Sequence, residues 1–153
     1  MTSDFLVVLD ACVLVPAPLR DLLLRLAEHP RLYVPRWSDE IMREVVRTLE
    51  SGIGLGPEKT GYLVSELGKH FGDAWVTGYE LLIGSMTNDP KDRHVLAAAA
   101  RCGAQAIVTY NARHFPVSAL EPWGIEAQAP STILNTSTIS IPRETSGDRY
   151  RNS

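Results

Sequence analysis

Five consecutive apolar residues, Phe5 to Leu9 (FLVVL), run straight into an aspartate, Asp10. An apolar run without alternation suits a strand covered on both faces, the usual state of a strand inside a parallel sheet. A similar run, Ala106 to Thr109 (AIVT), stops two residues short of Asn111. Between them the pattern turns helical. Leu19 to Ala27 reads as a helix and Arg31 to Val34 as a second short strand. Ser38 fits an N-cap opening a helix that reaches about Glu50. Three glycines and Pro57 make residues 51–57 a loop, and Glu58 to Phe71 a further helix. Residues 73–86 fit neither period. Asp89 suits an N-cap and Pro90 the first helical position, with Gly103 closing that helix after Cys102. Ile125 to Ala129 is a weaker strand.

Strands alternating with helices predict an α/β fold, a three-layer α/β/α sandwich around a mainly parallel sheet. The 153 residues suffice for one core, placed in residues 1–135. Residues 136–153 are rich in Ser, Thr and Arg, with Ile139 and Ile141 their only aliphatics. They are expected to form a polar, flexible tail, beginning at most with an edge strand.

With 44% hydrophobic and 22% charged residues, the composition excludes a disordered chain and a disulfide scaffold. No apolar run approaches the roughly 20 residues of a membrane span, and no signal peptide is visible. Cys12 and Cys102 read as small buried hydrophobes in a reducing compartment, so the expected location is cytoplasmic. The net charge of −3 sits awkwardly with nucleic-acid binding, unless several acids converge in one site.

Ligands of open α/β sheets bind at the carboxyl ends of the strands. Asp10 directly follows the first strand, and Asn111 follows the AIVT strand. The helices opening near Asp39 and Pro90 begin at the same edge. On the first of these, Ile41, Val45 and Leu49 form an apolar stripe. At about 100° per residue, Glu44 lies near the edge of that stripe and Glu40 points away from it, toward solvent. On the second, Asp92 shares a stripe with Val95, Leu96 and Ala99. An inward carboxylate wants a partner. Asp10, Glu44 and Asp92 together make a candidate site for a hard cation, Mg²⁺ or Mn²⁺, which prefers oxygen ligands and suits phosphate chemistry.

Each residue also has a plainer reading. Asp10 ends a strand in a turn, Glu44 sits on a solvated helix face, and Asp92 favours a helix dipole. Asn111 is equally a turn residue. His94 and His114 read as structural or surface groups, Cys102 as core. Arg36, Arg43 and Arg47 form a solvated face that also suits RNA phosphates.

Three segments carry a more specific signal. VVLDACVLV resembles the first strand and acidic turn of the PIN domain. WSDEIMREVVRTL is similar to its second motif, with a glutamate on the helix after strand two. NDPKDRHVLAAAARCGAQAIVTYNARHFP resembles the third and fourth motifs run together. The resemblance covers residues 5–134, is loose in the middle, and implies a PIN-like fold. It also implies a Mg²⁺- or Mn²⁺-dependent endoribonuclease resembling the toxins of VapBC-type toxin–antitoxin systems. It matches Asp10, Glu44 and Asp92 to the first three acids. The fourth falls at Asn111, an amide, which puts a second metal in doubt. The implied partners are an RNA substrate, a small cognate antitoxin and a second copy of the chain, with no membrane.

A catalytically silent PIN-like module, binding RNA or a protein, is the alternative. A phosphatase with a nucleophilic Asp10 wants a second aspartate two residues on, where this chain has Cys12. A receiver domain wants an acidic pair and a downstream lysine, and neither is clear.

Overall fold

The structure, a computed structural model, describes residues 5–29 and 31–139, with side chains through Leu134. Five parallel strands form one sheet in the order β3-β2-β1-β4-β5. They are β1 (Leu6–Leu9), β2 (Val34–Ser38), β3 (Trp75–Val76), β4 (Ala106–Val108) and β5 (Glu126–Gln128). The main helices are α1 (Ala11–Leu14), α2 (Ala17–Glu28), α3 (Asp39–Arg47), α4 (Pro57–His70), α5 (Arg93–Cys102), α6 (Val117–Leu120) and α7 (Pro130–Ile139).

The unbroken apolar run makes β1 the middle strand. Val7, Val8 and Leu9 are fully buried, with Pro35 and Ala106 flanking Val7 on either side. Pro35 is tolerated inside β2 because backbone N–H groups alternate between a strand's two neighbours. Val34 N–H donates toward β1, to Phe5 O at 2.8 Å. The missing N–H of Pro35 therefore faces the β3 side, where pairing begins only at Trp37.

The chain builds outward from β1 through β2 to β3. It then crosses back through α5 to place β4 on the other side of β1. The strand order thus reverses between β1 and β4, and such a switch point opens a crevice at the carboxyl ends of the two strands. α5 packs close over the sheet because Ala97, Ala98 and Ala99 are small, and Val95 through Ala99 are fully buried. It ends at Gly103, whose φ of 74° is the left-handed conformation glycine accepts without strain.

The α/β sandwich expected from the sequence is the fold observed. Individual boundaries differ. The second strand was expected at Arg31 to Val34, yet it spans Val34–Ser38. Arg31 adopts a left-handed φ of 66°, and Leu32 N–H closes back onto Leu26 O, so the turn after α2 consumes these residues. Ser38 caps α3 as expected, its Oγ accepting from Ile41 N–H at 3.1 Å. That helix loosens into a π-type turn at Thr48–Gly52 instead of continuing regularly to Glu50. The unassigned residues 73–86 hold the two-residue β3 and a 3₁₀ turn at Glu80–Ser85. Thr136 to Ile139 belong to α7, so the edge strand expected there is absent; the rest of the tail lies outside the described residues. Among the described residues, no helix is long and apolar enough to cross a membrane.

Candidate active site at the sheet switch point

Asp10 leaves β1 at the carboxyl edge and is 3% exposed. Its Oδ1 accepts from Ala11 N–H at 2.8 Å, capping α1. Its Oδ2 accepts from Thr109 Oγ1 at 2.8 Å. Thr109 was expected to be the last residue of the AIVT strand. The strand ends at Val108, and the Thr109 hydroxyl turns into the crevice instead. The same oxygen accepts from Asn111 N–H at 2.9 Å. One buried hydroxyl therefore ties Asp10 to the backbone of Asn111 across the switch point.

Cys12 belongs to this cluster as a polar group, against the expectation of a small hydrophobe. Its sulfur accepts from Tyr110 N–H at 3.2 Å and lies 3.4 Å from Thr109 Oγ1. Burial and the neighbouring Asp10 charge push its thiol above the ordinary range. Cys102 lies elsewhere, partly buried, and both thiols are free.

Asp92 enters from the 3₁₀ turn Pro90–Asp92 that precedes α5. Asp89 caps this turn by accepting from Lys91 N–H at 3.0 Å. Asn88 donates its amide to the Asp92 carbonyl at 3.0 Å. The Asp92 side chain makes no helix cap; Oδ2 meets His114 Nδ1 at 2.8 Å. His114 Nε2 lies 3.9 Å from Asp89 Oδ2, so one ring bridges both aspartates.

Glu44 comes from α3 and faces α5, where His94 Nε2 stands 2.9 Å from its Oε1. His94 is 6% exposed, while the Glu44 side chain keeps 34% exposure. Glu40 does not simply meet solvent, as its helical angle suggested. It is half-buried and accepts from the Tyr79 hydroxyl at 3.1 Å. Tyr79 comes from the segment whose pattern was unreadable, so no sequence signal announced it.

The electrostatics link these groups. Burial raises the Asp10 carboxyl above its ordinary range. The Thr109 and Ala11 hydrogen bonds oppose that, and the Asp92 and Glu44 charges reinforce it. Burial pulls His94 down, but its contact with Glu44 and the charges of Glu40, Glu44 and Asp10 win, and hold it above its usual value. The charges of Asp92 and Glu44 thus both reach Asp10, and the Asn111 backbone is tied to Asp10 through Thr109. Among the described residues, no three His, Cys, Asp or Glu side chains converge tightly enough to hold one ion between them. Glu44 and Asp92 are instead each paired with a histidine. By donor chemistry the set still fits a hard divalent cation: all three acids offer carboxylate oxygens, and a buried Asp10 beside two like charges is relieved by positive charge.

The PIN-domain family model matches residues 6–113, from β1 to just past Asn111. The chain belongs to the PIN-domain family. Over 61 residues, 40% of this chain, it is 52% identical to a Mycobacterium tuberculosis protein named putative ribonuclease VapC50. The match spans 36% of that relative's length. The matched part of the PIN domain contains all four candidate residues, Asp10, Glu44, Asp92 and Asn111.

Proposed function

We propose that this PIN domain is a Mg²⁺- or Mn²⁺-dependent endoribonuclease, the toxin of a toxin–antitoxin pair. The observation that carries the reading is the buried Asp10, fixed at the switch point by Thr109 and facing the charges of Asp92 and Glu44. A buried carboxylate that feels two like charges at the carboxyl edge of a sheet is a common setting for a bound cation. The printed name of the relative, a putative ribonuclease, supports RNA as the substrate.

Asp10, Glu44 and Asp92 would hold the metal ion with water completing its shell, since the three carboxylates do not converge on one point. When bound, it supplies charge neutralisation for a phosphodiester and a water of lowered pKa. The protein's own part is positioning. Asp10 is locked by two hydrogen bonds and cannot swing away. Asn111, whose backbone hangs from Thr109, would direct its amide at a phosphate oxygen or a water. A small cognate antitoxin, a homodimeric state and a cytoplasmic location belong to the same proposal.

The test is cleavage of defined RNAs by the purified protein with Mg²⁺, with Mn²⁺ and with EDTA. Wild type should cleave only with metal, and Asp10→Asn should not cleave. Cleavage by Asp10→Asn at the wild-type rate would remove the site. A catalytically silent module that binds RNA or a protein is the second reading. One observation favours it: an amide, Asn111, stands where the family pattern has a fourth acid.

A further inference from the structure

His94 is an expensive residue to keep where it stands. It projects from the α5 turn that carries Val95, Leu96 and the three buried alanines, and it is itself nearly inaccessible. An imidazole in such surroundings loses its water and must be repaid by hydrogen bonds at both ring nitrogens. Nε2 stands at ion-pair distance from Glu44, 2.9 Å from Oε1, while the buried Nδ1 has no hydrogen-bond partner among the described residues. A leucine of similar volume would pack there without an orphaned nitrogen. Stability alone therefore does not account for the ring.

The Glu44 contact does. Glu44 is one-third exposed on a long side chain, with its Oε1 buried at the His94 contact. The 2.9 Å contact sets Oε1 against the ring and leaves Oε2 uncommitted by it. The ring is fixed in turn, because α5 is clamped over the sheet by its alanines. The same turn-and-helix segment carries Asp92, two residues earlier. One rigid element thus sets the positions of two of the three candidate acids, Asp92 directly and Glu44 through His94.

We infer that His94 is a positioning residue, holding the Glu44 carboxylate in the orientation needed to take up a divalent cation. The inference rests on the metal-dependent reading of the site. Groups that orient metal-binding carboxylates usually matter about 10- to 100-fold in metal affinity.

The experiment is calorimetric titration of Mn²⁺ into the full-length protein, with no RNA present. Wild type, Asp10→Asn, His94→Leu and His94→Gln are compared, each checked for folding by circular dichroism. Glutamine places an amide N–H near the position of Nε2; leucine fills the space with no donor. The expected result is a loss of about 10- to 100-fold in Mn²⁺ affinity for His94→Leu and near wild-type affinity for His94→Gln. Should the leucine variant not fold, His94→Asn takes its place, because its shorter amide does not reach Glu44. Wild-type affinity in the leucine or asparagine variant, with binding lost in Asp10→Asn, overturns the role of His94 and leaves the metal site standing. Equal losses in the glutamine and leucine variants make His94 a packing residue and also overturn it. No Mn²⁺ binding by wild type overturns the metal-dependent reading, and this inference with it.

Discussion

Thr109 Oγ1 donates to Asp10 Oδ2 at 2.8 Å, joining residues 99 positions apart in the chain. The bond exists because β1 and β4 lie side by side at the point where the strand order reverses. The same hydroxyl accepts from Asn111 N–H, so both of its hydrogen-bonding directions are used in a place with no access to water. Thr109→Val keeps the shape and removes both bonds. A buried acceptor left unpaired costs about 1–3 kcal/mol. Urea unfolding should show a loss of that size for Thr109→Val and a smaller one for Thr109→Ser, which retains the hydroxyl. Unchanged stability in the valine variant would mean that Asp10 finds another donor.

Asp10 should be a burden on the fold in the absence of metal. Its carboxyl is raised, chiefly by burial, so the unfolded chain ionises at lower pH than the folded one. Stability tied to this group is fully present below the unfolded value and is lost as pH rises through the folded value. With EDTA present, Asp10→Asn should therefore melt above wild type at neutral pH. The gap should close as pH falls toward the ordinary aspartate range. Thermal melts of both proteins between pH 4 and pH 8 measure this. A wild type that outlasts the variant at neutral pH would show that the two hydrogen bonds outweigh the desolvation.

Glu44 and Glu40 should behave differently, although both are anchored. Glu44 is held by His94 beside α5, and its charge reaches Asp10. Glu40 is tied to the buried Tyr79, and its charge reaches His94. Glu44→Gln should abolish RNA cleavage and leave the fold intact. Glu40→Gln should keep most of the activity, since an amide still accepts from the Tyr79 hydroxyl. A cleavage assay giving the reverse ranking would move the second acid from Glu44 to Glu40.

These contrasts also mark how far the sequence could be read. The apolar runs ending at Asp10 and near Asn111 were legible, since burial on both faces leaves a continuous hydrophobic pattern. The alternation of strand and helix then implied that the acids share one edge. The start of β2 was not legible, because it depends on a left-handed turn at Arg31, a residue that carries no signal for it. Thr109 was hidden by its own β propensity, which made it look like the last residue of the strand. The histidine partners were hidden for a different reason. His94 and Glu44 lie 50 residues apart, and His114 and Asp92 22 apart. Helical spacing reports only neighbours three or four positions away.

Arg113 offers a test of substrate binding that leaves the acids untouched. It sits two residues past Asn111 on the exposed turn Ala112–His114, beside a site that otherwise carries mostly negative charge. An RNA approaching that crevice needs a cation at its rim to hold phosphate. Arg113→Ala should raise KM and leave kcat nearly unchanged, and should lower the slope of log affinity against log salt by about 1. Cleavage kinetics at several salt concentrations measure both. An unchanged salt slope would place the RNA backbone elsewhere, with the exposed Arg43 and Arg47 on α3 as the next candidates; Arg36, grouped with them from the sequence, lies half-buried in β2 instead.

Asn111 remains the departure from the acidic pattern, and its geometry says what it should do. Its backbone is pinned through Thr109 to Asp10, so its position follows that of the buried carboxylate. Being neutral, its side chain adds no repulsion to Asp10, Asp92 and Glu44. An amide offers one hydrogen-bond donor and one acceptor face, which suits a phosphate oxygen or a water. Asn111→Ala should reduce cleavage by roughly 10- to 1,000-fold, the range for losing one positioning group, while Mn²⁺ affinity changes little. Asn111→Asp should preserve cleavage and tighten metal binding, because a further carboxylate increases the attraction for a divalent cation. In the metal-free protein the same substitution should be destabilising, since it places one more like charge beside Asp10. Cleavage across a Mg²⁺ titration, together with melting in EDTA, separates these effects. If Asn111→Ala cleaves as fast as wild type at every Mg²⁺ concentration, the residue serves only the turn, and the site consists of the three acids.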